Sequence, residues 1–179
     1  MLKKGKRSRM NRIIKMTLKI VIVIIIAISL LMNLFTFVIP IVKYYGTSME
    51  PTLQDGQILV INKLSEVESG DIIAFYYNDK VLVRRVISEG SQQVSMDIFG
   101  TVRVNGEELE EPYTNNKTYG QCNLEFPYYV PAASFFVMGD NREQSMDSRL
   151  EEIGPVTEDR LIGKVVFAIN PFDILTNSK

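Results

Sequence analysis

A small hydroxyl residue in a short irregular segment is the first candidate for chemistry in this chain. The segment is Gly46-Thr47-Ser48-Met49-Glu50-Pro51-Thr52-Leu53. Pro51 has a fixed φ and no N–H, and it pushes the residue before it toward an extended backbone, so Ser48 is predicted to lie in a non-helical turn. A serine there acts as a nucleophile when a neighbouring base takes its proton. On local sequence alone, a helix cap or a turn hydrogen bond is the commoner role.

Two features of the composition restrict how Ser48 could be activated. The 179 residues contain no histidine and a single cysteine, Cys122. Ser-His-Asp and Cys-His catalysis are thereby excluded, as are the usual histidine and all-cysteine metal sites. The best-known remaining activator is a desolvated lysine, whose pKa falls until the amine is neutral near pH 7. We therefore expect no metal and no cofactor.

The distribution of charge along the chain indicates a membrane anchor. Residues 1–19 carry eight Lys or Arg and no acid, whereas residues 43–179 carry twelve Lys or Arg and all 21 Asp or Glu, a net charge of −9. Residues 20–42 contain no charge and span roughly 35 Å as a helix at about 1.5 Å per residue, enough to cross a bilayer. Because basic residues mark the cytoplasmic side, we expect a single-pass plasma-membrane protein. Its parts are a cytoplasmic tail (1–19), a transmembrane helix (20–42) and an extracytoplasmic domain (43–179).

The flanks of the apolar run refine this expectation. Pro40 is predicted to kink or end the helix, and Tyr44 and Tyr45 are predicted to lie at the outer membrane interface. A cleavable signal peptide is the competing interpretation, but the run is too long and no small-x-small cleavage site follows it. The acidic outer domain has no basic stripe, so nucleic acid is not an expected partner.

Short apolar runs between turn residues predict a mainly β outer domain. Residues 72–77 and 80–87 flank Asn78-Asp79 as a hairpin, and Asn105-Gly106 marks a second tight turn. Residues 107–129 contain two prolines and no sustained period, which indicates a surface excursion or small lid. Many short strands with little helix favour a sheet or barrel-like architecture. The predicted strands are 57–61, 72–77, 80–87, 94–98, 101–104, 134–138 and 163–170.

Four motifs follow one another in the order found in type I signal peptidases. They are residues 46–53 (GTSMEPTL), 69–73 (SGDII), 84–87 (RRVI) and 139–149 (GDNREQSMDSR). Over nearly its whole length the chain resembles this family of membrane-anchored Ser-Lys endopeptidases, and its layout is similar to that of small Gram-positive members. The resemblance implies a signal-peptidase-like fold and cleavage of signal peptides outside the membrane. The implied ligand is an extended peptide of a preprotein, with small side chains opposite Ser48.

The resemblance also implies roles by position. Ser48 matches the nucleophile, and its backbone N–H matches part of the oxyanion hole. Ser145 matches the serine that hydrogen-bonds the general base, and Asp147 and Arg149 match an ion pair that braces the site. Without the resemblance, that pair reads as an ordinary surface pair worth under about 1 kcal/mol. The other matches are the substrate-cleft residues Met49 and Pro51 and the supporting turn Gly139, Asp140 and Asn141.

One departure from the family pattern falls on the general base. Arg84 stands where the family has lysine, and the family's Gly-x-Pro-Gly turn after it is replaced by Ser88-Glu89-Gly90-Ser91. Arginine is not deprotonated in proteins, so Arg84 can neither accept the Ser48 proton nor return it to the leaving amine. Missing general-base catalysis slows a reaction by about 10²- to 10⁴-fold. The lysines considered as substitutes are predicted to be surface residues: Lys43, Lys63, Lys80 and Lys164.

Two functions follow from these observations. The first is a working signal peptidase in which another base or a water chain replaces the lysine, and the intact Ser48 motif favours it. The second is an accessory protein that binds extended segments of surface or pilus proteins without cutting them, similar to signal-peptidase-like proteins of pilus assembly, and Arg84 favours it. A self-cleaving Ser-Lys regulator is disfavoured by the membrane span and the lack of a DNA-binding signature.

Overall fold

A long apolar helix forms most of the first of two compact units, Met1–Ile39 and Pro40–Lys179. The computed structural model describes residues 2–171, with side chains from residue 14 onward except residues 34–36. Met1 and residues 172–179, which the predicted tail and outer domain include, lie outside the described residues. The helix, α1 (Leu2–Val38), contains a segment, Ile14–Asn33, that is long and apolar enough to cross a membrane. The side chains of this segment are exposed, which fits a membrane anchor.

Both ends of α1 differ from the predicted span 20–42. The helix begins at Leu2, so the basic residues continue it, consistent with the good helix propensity of Lys and Arg. It ends at Val38 because Pro40 has no N–H and disfavours helical geometry in the residue before it. Residues 41 and 42, predicted to end the span, instead begin a strand. The apolar run therefore contributes to both α1 and β1. The assignment of residues 1–19 to the cytoplasmic side and of residues 43–179 to the extracytoplasmic side stays a prediction.

Eleven strands lie between residues 40 and 171, and they form two antiparallel sheets. They are β1 (Ile41–Lys43), β2 (Ile58–Asn62), β3 (Ile72–Tyr77), β4 (Lys80–Glu89), β5 (Gln93–Met96), β6 (Val102–Val104), β7 (Glu107–Glu108), β8 (Tyr128–Tyr129), β9 (Ser134–Met138), β10 (Val156–Thr157) and β11 (Leu161–Ile169). The larger sheet has the order β1-β2-β11-β3-β4-β9-β10, and the smaller has the order β7-β6-β5-β8. The predicted mainly β fold class is confirmed.

The hairpin of β3 and β4 carries the position that departs from the family pattern. Its two-residue loop has Asn78 at a φ of 50°, and the register pairs Ile73 with Arg84 and Ile72 with Arg85. The sequence predicted β3 at its observed bounds and β4 two residues short, because β4 continues through a bulge to pair with β9. Neighbouring residues of a strand point to opposite faces. Arg84 and Arg85 therefore leave β4 in different directions.

The structure does not confirm a lid over residues 107–129. The two ends of this segment are β7 and β8 in the smaller sheet, and the turn before β7 is the predicted Asn105-Gly106 hairpin, with both residues at positive φ. Leu109, Leu124 and Phe126 pack against a buried apolar cluster. These apolar side chains, spaced without a regular period, hold the segment against the domain.

Beneath the Ser48 segment lies a separate apolar cluster. Tyr44, Met49 and Leu53 belong to it together with Leu59 and Ile61 of β2. Met49 is completely buried, and burying a methionine side chain contributes roughly 1.5–3 kcal/mol. The segment is therefore fixed to the sheet by the residues on either side of Ser48.

Candidate active site

Ser48 lies half-buried in the connection between β1 and β2. Backbone hydrogen bonds close this connection at its base, from Tyr44 N to Gln57 O (2.8 Å) and from Gly56 N to Tyr44 O (3.0 Å). Within it, Glu50 N donates to Thr47 O (3.1 Å), which forms the non-helical turn around Ser48 that the sequence predicted. The Ser48 N–H makes no hydrogen bond within the described part of the chain. This free donor is what an oxyanion hole requires.

Arg84 points directly at Ser48. Its Nη1 donates to Ser48 Oγ (2.7 Å) and to Val83 O (2.6 Å), while Nε and Nη2 both donate to Met146 O (3.0 and 2.8 Å). The side chain is almost completely buried, and this burial lowers the pKa of Arg84 against the opposing effect of the Asp147 carboxylate. The guanidinium still acts as a donor. Arg84 thus occupies the position of the family's general base, but it is a cation that donates a hydrogen bond to Ser48.

Tyr44 is a second neighbour of Ser48, and sequence reasoning missed it. Its hydroxyl lies 3.1 Å from Ser48 Oγ and accepts a hydrogen bond from Met49 N (3.0 Å). The prediction that Tyr44 lies at the membrane interface is wrong, because the side chain is 4% exposed and packs in the core below the turn. Tyr45, by contrast, is 69% exposed. The missed signal is the alternation along β1, which turns Val42 and Tyr44 inward.

The turn Gly139, Asp140 and Asn141 holds the Ser48 segment from the other side. Asn141 N donates to Ser48 O (3.0 Å), and Asn141 Nδ2 donates to Thr47 O (3.2 Å). A Cβ at Gly139 would lie 2.5 Å from Ser48 O and 2.3 Å from Ser145 Oγ, so only glycine fits there. These contacts with the turn fix the position of the Ser48 backbone.

Asp140 connects this turn to β4 through Arg85, a residue that sequence reasoning left without a role. Arg85 Nε and Nη2 donate to the two Asp140 carboxylate oxygens (2.8 and 2.6 Å), and Thr52 Oγ1 donates to Asp140 Oδ2 (2.5 Å). Arg85 also stacks over the ring of Tyr113, with 4.0 Å between its Cζ and the ring centroid. A bidentate arginine–carboxylate pair fixes direction as well as distance.

Asp147 and Arg149 form a buried pair behind the site, so reading them as a surface pair is wrong. Arg149 Nε and Nη2 donate to the two Asp147 oxygens at 2.8 Å, and both side chains are completely buried. Gly139 N donates to Asp147 Oδ2 (2.9 Å). The Ser145 hydroxyl is also buried, but it has no hydrogen-bond partner among the described residues. The structure therefore does not join Ser145 to Arg84.

A cleft of about 130 Å³ opens beside Ser48. Met49 is completely buried, Pro51 is exposed on the turn, and neither is among the residues that line this cleft, so their assignment to the substrate cleft stays a prediction. Of the lysines considered as substitute bases, Lys164 pairs with Asp71 (2.7 Å), whereas Lys43 lines the cleft. The lining residues are Val42, Lys43, Tyr44, Tyr45, Ser48, Val81, Leu82, Val83 and Arg84.

The buried Asp147 carboxylate predicts how stability depends on pH. Burial alone would raise its pKa, but the hydrogen bonds and charge of Arg149 outweigh burial, so the pKa is lowered. A carboxyl whose pKa is lowered in the folded state stabilises the protein above its ordinary pKa of about 3.9, and this stabilisation is lost as pH falls through the folded value. We expect the unfolding temperature of the full-length protein in detergent to change little between about pH 7 and 5 and to fall below about pH 4. If the slope below pH 4 is unchanged in Asp147→Asn, another carboxyl is responsible.

Comparison with known proteins places the whole arrangement in one family. Residues 14–170 match the family described as signal peptidase, peptidase S26. Signal peptidase I of Bacillus amyloliquefaciens is 35% identical over 171 residues, which cover 88% of this chain and 86% of the relative. Signal peptidase IB of Staphylococcus aureus is 32% identical over 178 residues, which cover 88% and 92%. A crystal structure of a signal peptidase I from Enterococcus faecalis is 27% identical, with a TM-score of 0.48, and covers 57% of this chain and 98% of that one. The chain therefore belongs to the signal peptidase family, peptidase S26.

Proposed function

We propose that this protein is a membrane-bound serine endopeptidase of the signal peptidase I type, with Ser48 as its nucleophile and signal peptides of exported preproteins as its substrates. The observation that carries this proposal is the position of Ser48, whose hydroxyl faces a cleft and whose N–H is free to bind an oxyanion. Relatives that are named signal peptidase I over most of the chain support it. The small cleft suits small side chains of an extended peptide next to the scissile bond.

The proposed orientation places α1 across the plasma membrane. The basic residues before the apolar segment then lie on the cytoplasmic side, and the two-sheet unit lies outside, where signal peptides emerge. The preprotein would lie extended along strand edges near Ser48, using the main-chain hydrogen bonds that a peptide offers.

Proton transfer is the step in which this site differs from a Ser-Lys dyad. Arg84 donates to Ser48 Oγ and stabilises negative charge on it, but it cannot take the proton. Among the described side chains hydrogen-bonded to Ser48, Tyr44 alone has a group that both accepts and donates a proton. We assign the Tyr44 hydroxyl a proton relay: its oxygen takes the Ser48 proton while its own proton passes to water and on to bulk solvent, and the leaving amine takes a proton from water. We expect proton transfer through this relay to be slower than direct proton transfer to a neutral lysine.

The second candidate is a catalytically impaired protein that binds the same extended peptides. The contact between Arg84 Nη1 and Ser48 Oγ favours it, because the nucleophile faces a permanent cation. The names of the relatives do not favour it. The two candidates share the ligand and differ in turnover, so one assay separates them.

The proposed function predicts slow cleavage of a preprotein that depends on Ser48. We expect the full-length protein in detergent to cut a purified precursor at its signal junction, and Ser48→Ala to abolish the cut because it removes the proposed nucleophile. Product formation is measured by mass spectrometry over hours. Thr47→Ala is the matched control, since it removes a neighbouring hydroxyl that bonds Gln144 instead of the site. Equal cutting by the natural protein and Ser48→Ala would show a contaminating protease, and no cutting by either would favour the impaired candidate.

A further inference from the structure

Four arginines surround the Ser48 turn, and one of them differs from the other three. Arg85 pairs with Asp140, Arg142 with Glu111 and Arg149 with Asp147. Arg84, which is 5% exposed, donates only to neutral oxygens, namely Ser48 Oγ, Val83 O and Met146 O. Among the described residues, this buried guanidinium makes no ion pair.

A buried cation without a counter-ion is unfavourable, because its lost hydration is not replaced by an opposite charge. Asp147 is the acid whose charge acts on Arg84, but both of its oxygens are already bound by Arg149, which in turn repels Arg84. The chain between residues 2 and 171 thus leaves the positive charge of Arg84 without a direct partner. A bound anion would supply one.

The cleft beside Arg84 is equipped to hold that anion. Its lining includes a second cation, Lys43, and three residues with hydroxyl groups, Tyr44, Tyr45 and Ser48, but no carboxylate. The Ser48 N–H also lacks a partner among the described residues. The residues that carry these donors line one space of about 130 Å³, which suits a carboxylate with a small substituent.

We propose that the cleft binds the terminal carboxylate of an extended peptide that ends in a small residue. A peptide rather than a free anion is favoured because the lining also includes Val81 and Leu82 of β4. These two residues pair with β3 on one side and with no described strand on the other, so their backbone can bind an extended chain. Hydrolysis of an acyl group on Ser48 would place a new carboxylate at this point. A neutral lysine would release such a product, whereas the permanent charge of Arg84 retains it. This inference rests on the proposed function, which places the carboxyl end of the peptide next to Ser48. It does not require that the protein cleaves the peptide.

The test compares two peptides that differ only at the carboxyl end. An acetylated hexapeptide ending in Ala-Gln-Ala with a free carboxylate, and the same peptide as its amide, are titrated into the full-length protein in detergent by calorimetry at pH 7. We expect the acid to bind at least about tenfold more tightly than the amide, since a charge-assisted hydrogen bond to a buried cation is worth that factor or more. The preference should disappear in Arg84→Gln and weaken at high salt.

Each outcome decides the proposal. Equal affinity of acid and amide in the natural protein overturns it, and this comparison needs no variant to fold. Sodium acetate that binds as tightly as the peptide acid would show a simple anion site and overturn the peptide assignment. An acid preference that persists in Arg84→Gln would place the carboxylate elsewhere. Preferred binding of the acid without cleavage of a precursor would support this inference and contradict the proposed function. Cleavage without a preference for the acid would support the proposed function and contradict this inference.

Discussion

Cleavage of a precursor is expected to become about 10²- to 10⁴-fold faster when Arg84 is replaced by lysine. A lysine at this position can lose its proton, and the burial that lowers the pKa of Arg84 would also lower that of an ammonium, from an ordinary value of about 10.4 toward neutrality. The measurement is the initial rate of product formation for the natural protein and Arg84→Lys.

Two control variants separate restored base chemistry from a simple loss of arginine. Arg84→Gln removes the charge without adding a base, so it should not gain activity. The double variant Arg84→Lys with Ser48→Ala should be inactive, because the nucleophile is missing. If Arg84→Lys is no faster than the natural protein, the altered turn at residues 88–91 limits catalysis instead of the base. A gain in Arg84→Gln equal to that of Arg84→Lys would show that arginine merely obstructs the cleft.

Replacing Glu111 by glutamine is expected to destabilise the folded protein by about 3–5 kcal/mol, because it leaves Arg142 buried without its counter-ion. Glu111 and Arg142 are 31 residues apart and completely buried, and the carboxylate binds both Nη atoms. Arg142 Nε also donates to Gly139 O (3.2 Å), so the pair connects the segment 107–129 to the turn beneath Ser48. The measurement is the urea dependence of unfolding of the full-length protein in detergent, and cleavage activity should fall with stability.

Glu108→Gln is the matched control for this effect. Glu108 is the same residue type three positions earlier and also lies near cations, at 3.7 Å from Arg103 and 3.6 Å from Lys117, but its side chain is 55% exposed. Exposed pairs contribute about 0–1 kcal/mol, so this variant should unfold nearly as the natural protein does. If both glutamate variants lose the same small amount, the buried pair does not hold the segment.

Local patterns in the sequence were sufficient to predict the elements whose partners are close in the chain. The β3–β4 hairpin follows from two apolar runs around Asn78-Asp79, and the Asn105-Gly106 turn follows from residues that tolerate positive φ. The fold class and the membrane-length helix likewise depend on composition over short windows. Ser48 and Arg84 were paired by motif order alone, and the structure places their side chains 2.7 Å apart.

Features that depend on residues far apart in the chain could not be predicted from local sequence patterns. Tyr44 follows an apolar run, which is also where interfacial tyrosines occur, and only its packing under Met49 distinguishes the two. The end of α1 could not be predicted from hydropathy, because the apolar residues 41 and 42 fit a membrane helix as well as they fit β1. The pairing of Glu111 with Arg142 has no local signal, since a buried acid and a surface acid look alike in sequence. The burial of Met49 likewise depends on Leu59 and Ile61 of β2, which lie at a distance along the chain.

The position of β11 in the larger sheet has a consequence for how the protein is made. β11 is the last strand along the chain, yet it lies between β2 and β3, so within the described residues it joins the half that carries Ser48 to the half that carries Arg84. A ribosome releases residues 161–169 after all the others of the sheet. Until then β2 and β3 expose unpaired edges, and folding waits for long-range pairing, which is slow. Ser48 and its neighbours should therefore come together only after residue 169 has been synthesised, so a chain that stops before β11 should carry no assembled site.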